Sequence, residues 1–336
     1  MIATIKSTIY TIAMTTLMVF VLLSCTPQKK YISISGNALG TNVQVKCQTD
    51  VSSEKLIEVI RNVDSDAKAS MSIFNPESLL SKINRGETDS LDSHISHLIG
   101  VSRELYDMSD GAYDITVKPL TDAWGFGRDE RNATPNIDSL LQFIGLDKIE
   151  ICNGHLVRSD YRTQIDLNSI AKGYTVDLLA QRLEELEIDN YMVNIGGEIR
   201  CRGVNASGHN WSIGIETPYD GNVAMDSIEK IIKVSDCAMA TSGNYRRFYR
   251  TESGDKVVHT IDPRTGYCVV SDLLSVTVIA PTCTEADAAA TMFMAMGSTG
   301  GALELAKRCE QERGWKYYFI YASCCGYRVE CSEELK

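Results

Sequence analysis

The chain has 336 residues, 44% of them apolar and 23% charged, which is ordinary for a folded globular protein and enough for one large domain or two modest ones. Its formal net charge of -11 argues against a nucleic-acid binder, because such proteins gather Lys and Arg on one face to neutralise phosphates. An anionic ligand would therefore have to be met by a local arrangement of donors and cations.

In chain order, the first segment stands apart. Lys6 is the only charge before Cys25, and the Thr-interrupted apolar run is too short for the ~20 residues a membrane span needs. It reads as a secretory signal over residues 1–24. Leu22-Leu23-Ser24-Cys25 has the order of a bacterial lipobox, with a plain N-terminal anchor as the alternative. The expectation is a lipidated Cys25, a tether over 25–30, a folded domain over 31–336, and a lipoprotein anchored in the membrane and facing the periplasm or the cell exterior. Ten cysteines follow Cys25 without a Cys-x-x-Cys pair or a Cys/His cluster. Most read as small buried hydrophobes, with one or two bridges that spacing cannot assign.

YISISG and TNVQVKC alternate as two strands joined by a turn at GNALGT. Apolar residues at helical spacing predict helices over 52–70, with caps at Ser52 and Ser53, over 76–84 and over 93–108. DGAYDITVKPLTDAWGFGRDE lacks periodicity and carries aromatics, so it reads as a packed functional loop. A long helix is predicted over 169–187, with Ile170, Tyr174, Leu178, Leu179, Leu183 and Leu186 on its apolar side. Strands YMVNI, EIRCRG, WSIGIE, IEKIIKVS, NYRRFYR and LLSVTVIA follow, then helices over 284–297 and 299–312 and strands YYFIYA and YRVEC. Hairpins with clustered helices predict an α+β fold.

The chemical motifs are individually weak. NIGGEIRCRG offers a Gly pair that could open backbone N–H groups to a pyrophosphate, or could simply turn a hairpin. ATSGNYRRF sets hydroxyls beside two Arg, which suits phosphate and equally suits a turn that starts a strand. His259 adjoins Asp262 and Arg264 in HTIDPRTGY, a potential acid or base. In TEADAAATMFMAMG, Thr284 reads as the N-cap; Asp287 and Thr291 lie four apart on one face, able to reach a hard cation, unless Asp287 only serves the helix dipole. There is no GxGxxG, GxxxxGK[ST], GxSxG or HExxH.

Taken in order, LGTN, SIFNPESLLSKIN, GAYDITVKPLTDAWGFG, IDLNSIAKGYTVD, YMVNIGGEIRCRG, ATSGNYRRFY, HTIDPRTGY and EADAAATMFMAMG resemble the motifs of the FAD:protein FMN transferases, the ApbE family of flavin-transferring lipoproteins, over about residues 31–331. The resemblance implies an ApbE-like fold of mixed and antiparallel sheets with packed helices and FAD in a cleft between two subdomains. It implies Mg²⁺-dependent cleavage of FAD, release of AMP, and attachment of FMN through a phosphoester to a Thr or Ser of an acceptor subunit in an exported or membrane redox complex. By motif, Asp287, Thr291 and the Ser169 carbonyl would ligate Mg²⁺, and Asp287 and His259 would be catalytic, His259 as the base. FAD contacts would fall on Leu39, Phe74, Ala112, Tyr113, Asp114, Asp166, Lys172, Gly196, Gly197 and Ile261, with Phe74 and Tyr113 covering rings. Cys268, where the family usually has Pro, and Lys172, where some members carry Glu, depart from the pattern. An FAD pyrophosphatase and a non-catalytic FAD-binding lipoprotein are the alternatives.

Overall fold

The computed structural model describes residues 29–127, 135–220, 227–245, 247–324 and 326–336. The signal segment, Cys25 and most of the tether lie outside the described residues. No described helix is long and apolar enough to cross a membrane.

Strands β1 (Lys30–Ala38) and β2 (Thr41–Thr49) form a hairpin that turns at Leu39 and Gly40, both at positive φ (51° and 75°). β3 (Ile149–Cys152) and β4 (His155–Arg158) make a separate hairpin. β5 (Tyr191–Ile195) and β6 (Glu198–Arg202) turn at Gly196-Gly197. β7 (Trp211–Glu216) pairs with β8 (Ile228–Val234), and β9 (Cys237–Gly243) follows. The short ribbons β10 (Phe248–Arg250) with β11 (Lys256–Val258) and β12 (Ile261–Asp262) with β13 (Tyr267–Cys268) precede β14 (Leu273–Ala280), β15 (Lys316–Ser323) and β16 (Gly326–Cys331). The main sheet is antiparallel, in the order β1-β2-β5-β6-β9-β14-β15-β16.

The helices are α1 (Ser53–Met71), α2 (Leu79–Asn84), α3 (Ser93–Met108), α4 (Lys118–Ala123), α5 (Ile137–Leu141), α6 (Ala171–Glu185), α7 (Cys283–Met296) and α8 (Ala302–Arg313). Period-2 alternation divides the strands between two cores. Val43, Val45, Val193 and Ala238 pack with α1 and α6; Ala240, Val276, Val278 and Phe319 pack with α3, α7 and α8. The opposite residues, Met192, Ile199, Cys201, Met239, Tyr318 and Ile320, bury against the β7–β8 hairpin. The sheet is thus covered by helices on one face and by a hairpin on the other.

The close stacking of α6 on α7 fixes the geometry of the site. A Cβ on Gly173 would lie 2.2 Å from the Cys283 carbonyl oxygen and 2.7 Å from Asp287 Cβ, so only glycine admits this approach. Asp177, on α6, clasps the start of α7: one carboxylate oxygen accepts from Cys283 N (2.9 Å), the other from Thr284 N (2.8 Å) and Thr284 Oγ1 (2.6 Å). Arg200 of β6 donates to the same carboxylate at 2.8 Å. The opposed ends of α7 and Asp177 satisfy amides that the helix itself leaves open.

Several expectations need correction. The N-cap of α7 is Thr282, whose side chain accepts from Glu285 N, not Thr284. The second helix starts at Leu79 behind Ser78, because Asn75–Glu77 are taken up in a turn with Asn75 Oδ1 accepting from Glu77 N. The ATSG of ATSGNYRRF, read as a turn that starts a strand, is instead the end of β9 in the interior of the main sheet; the small side chains of β9 fit against the alanines of α7. The presumed loop after Asp110 contains α4, with Pro119 in its first turn, where the missing N–H costs nothing. On α6 the buried side is Gly173, Val176, Leu179, Ala180 and Leu183, with Tyr174 and Leu178 only partly covered.

Candidate active site

Asp287 is the electrostatic centre of the site. Its residue is 3% exposed, on the fifth position of α7, beyond the first turn where a carboxylate serves the dipole. Oδ2 accepts from Gly173 N at 2.9 Å, and Oδ1 lies 3.9 Å from Lys172 Nζ. Burial holds its carboxyl well above the usual carboxylate range; Lys172 opposes that shift, and the Glu198 carboxylate reinforces it. Lys172 itself ion-pairs with Glu198 Oε1, while buried Glu198 Oε2 has no hydrogen-bond partner. Two buried carboxylates therefore face one partly exposed ammonium.

Two hydroxyl pairs involve the other expected ligands. Thr291, one turn along α7, holds its hydroxyl 3.1 Å from Ser242 Oγ on β9. Ser169 Oγ lies 2.9 Å from the Tyr113 hydroxyl, just before α6 begins. Burial raises the Tyr113 pKa; the hydrogen bond with Ser169 opposes that shift, and the fields of Asp287 and Asp166 add to it. A hard cation prefers oxygen donors and keeps waters, so this donor set suits Mg²⁺ chemically. A divalent charge would also relieve the condition that pushes Asp287 towards its neutral form.

Asp166 is buried and accepts from Asn168 N (2.8 Å) and Thr121 Oγ1 (3.2 Å). Burial raises its pKa, with those two hydrogen bonds and Lys118 opposing. Lys118 pairs with Asp122, whose other oxygen is buried without a partner. His259 Nδ1 is 3.1 Å from the Arg247 carbonyl. A carbonyl only accepts, so Nδ1 carries the proton in this contact. Ile261, two residues on, lies in β12, which packs against α7.

The remaining expected contacts are differently placed. Phe74 is 52% exposed, an aromatic face turned to solvent. Leu39 donates its N–H to Asp64 Oδ1 at 2.7 Å from the strained turn between β1 and β2. Ala112, Tyr113 and Ile261 are buried, so the Tyr113 ring expected to cover a flavin or adenine is enclosed by the protein. Asp114 is committed to its own loop, with Oδ1 accepting from Thr116 N and Oγ1 (2.7 Å each) and Oδ2 from Leu146 N (3.0 Å). The Gly pair does not present open amides: Gly196 N donates to Asn42 O and Gly197 N to Asn194 Oδ1, both at 2.9 Å. It is a hairpin turn whose product is the placement of Glu198. Sequence reasoning missed Glu198 and Asp177, because a single carboxylate announces nothing until its partner from another element is known.

Comparison with known proteins gives this arrangement a family. The ApbE family model matches residues 39–318. An FAD:protein FMN transferase from Haemophilus influenzae is 36% identical over 331 residues, covering 94% of this chain and 93% of that protein; one from Vibrio cholerae is 33% identical, with 83% and 86% covered. Among solved structures, the flavin transferase ApbE from Vibrio cholerae aligns with a TM-score of 0.80 at 29% identity, covering 91% of this chain and 98% of that one. The apo form of the Pseudomonas stutzeri flavinyl transferase ApbE also reaches 0.80, at 27% identity, with 91% and 96% covered. On sequence and on fold alike, the chain belongs to the ApbE family.

Proposed function

We propose that this protein is an FAD:protein FMN transferase: a Thr or Ser hydroxyl of an acceptor protein attacks the FMN phosphorus of FAD, the bond from that phosphorus to the bridging oxygen breaks, and AMP leaves. The observation that carries the reading is the buried Asp287 carboxylate, held by Gly173 N–H and faced by Lys172, one turn from Thr291. A site of that kind, in an acidic chain, needs positive charge to accept a pyrophosphate.

Asp287, Thr291 and the Ser169 carbonyl are the residues that would hold Mg²⁺, which when bound neutralises charge on the phosphates as the bond to AMP breaks. Lys172, steadied by Glu198, supplies a fixed cation beside Asp287. His259, with Nδ1–H committed to the Arg247 carbonyl, is the candidate base for the acceptor's hydroxyl proton. Phe74, exposed at the end of a turn, is a face for a flavin or adenine ring. Cys25 would carry the lipid that anchors the enzyme at a membrane outside the cytoplasm, near an acceptor subunit of a redox complex. The test is incubation with FAD, Mg²⁺ and a candidate acceptor: an acceptor mass increased by one FMN supports the proposal, and free FMN with an unmodified acceptor opposes it.

A further inference from the structure

β6 and β9 are neighbours in the main sheet, and the last pair of their ladder sets Cys201 directly opposite Cys237. Among the described residues, this is the one place where two cysteines face each other in a ladder. Facing residues in antiparallel strands have Cα atoms about 4.5–5.5 Å apart, within the range a disulfide spans. Cys201 Sγ lies 3.6 Å from the Cys237 carbonyl and 3.9 Å from that of Val234. Cys201 is 2% exposed and enclosed by the β7–β8 core, while Cys237 is only partly buried against it, so Cys237 is the more accessible of the two.

We propose that Cys201 and Cys237 are a dithiol that closes to a cross-strand disulfide by exchange with a small disulfide oxidant. The Cys237 thiolate attacks the oxidant's S–S bond, forming a mixed disulfide and expelling one thiolate. Cys201 then gives up its proton and attacks the Cys237 sulfur, expelling the second thiolate; two protein thiols are oxidised and one oxidant disulfide is reduced to two thiols. The S–H of Cys201 lowers the Cys237 pKa, which favours Cys237 as the attacking sulfur, although burial and Asp236 work the other way.

The bond would act at a particular point in the fold. Residues 202–236 leave the sheet at the end of β6 and return at the start of β9, carrying the β7–β8 hairpin. At the end of β7, Glu216 accepts from the Tyr245 hydroxyl at 3.1 Å. A disulfide here ties the base of the excursion without touching Asp287, whose neighbours Glu198 and Ser242 point to the other face of the sheet.

The full chain, reduced with dithiothreitol and then incubated with oxidised glutathione, should be denatured, alkylated and mapped by mass spectrometry. The expected result is loss of two alkylatable thiols, a linked pair of peptides containing Cys201 and Cys237, recovery of both thiols on reduction, and no link in Cys237→Ser. Full alkylation of both residues, a glutathione adduct persisting on Cys237, or pairing of either with another cysteine would overturn the proposal.

Discussion

A carboxylate buried without full solvation is a poor design for stability and a good one for binding charge, and Asp287 has to be judged by its neighbours. The Asp287→Asn variant keeps the shape and an oxygen for Gly173 N–H but removes the charge. It should lower Mg²⁺-dependent release of AMP from FAD on the order of 10²-fold or more, with an unchanged circular dichroism spectrum; near-normal turnover would remove Asp287 from the metal site. His259→Asn should slow transfer to an acceptor on the order of 10²-fold while leaving the FAD dissociation constant within a few-fold. An unaltered transfer rate would show that another group takes the proton. Asp114 offers a separate test of burial as a cause. Its folded pKa is pushed up to about 6 by burial, against an ordinary value of 3.8, so between those values the folded state holds the extra proton and stability falls as pH rises. Asn cannot titrate, so the melting temperature of the parent relative to Asp114→Asn should increase as pH falls from about 6 to about 4, and a difference independent of pH would contradict the assignment.

At the scale of elements, the site is made by two helices pressed together. Gly173 permits the contact, and its N–H then orients Asp287. Gly173→Ala forces a methyl group against the Cys283 carbonyl and should cost about 1–3 kcal/mol in denaturant unfolding. It should also weaken Mg²⁺-dependent activity by shifting Asp287; parental stability would mean that the helices separate freely. Asp177→Ala strips three donors at the start of α7 and one from Arg200, and should cost about 2 kcal/mol or more. These contacts also show what could be read from sequence. The pairing of Asp287 with Thr291 on one face follows from helical periodicity alone. The capping of α7 by Asp177, the Lys172–Glu198 pair and the interior position of β9 do not, because each depends on elements distant in the chain. β9 is further disguised by Ala, Ser and Thr, residues chosen by the close approach of α7 rather than by strand propensity.

For the whole molecule, the sheet with helices on one face and a hairpin on the other brings Lys172 and Gly173 of α6, Glu198 of β6, Ser242 of β9 and Asp287 and Thr291 of α7 into mutual contact. Ordered motifs made the family legible before any contact was known, and hairpins with clustered helices made the α+β class legible. What remained hidden was the division of labour: Asp114 and the Gly pair proved to build loops and turns, whereas Glu198 joined the charged centre. The central claim is that cleavage of FAD is coupled to transfer, and stoichiometry tests it most directly. With FAD, Mg²⁺ and a candidate acceptor, AMP released and FMN bound to the acceptor should rise together in a ratio of about one to one, and both should stop when Mg²⁺ is chelated. AMP released with an equal yield of free FMN and no acceptor modification would contradict the account.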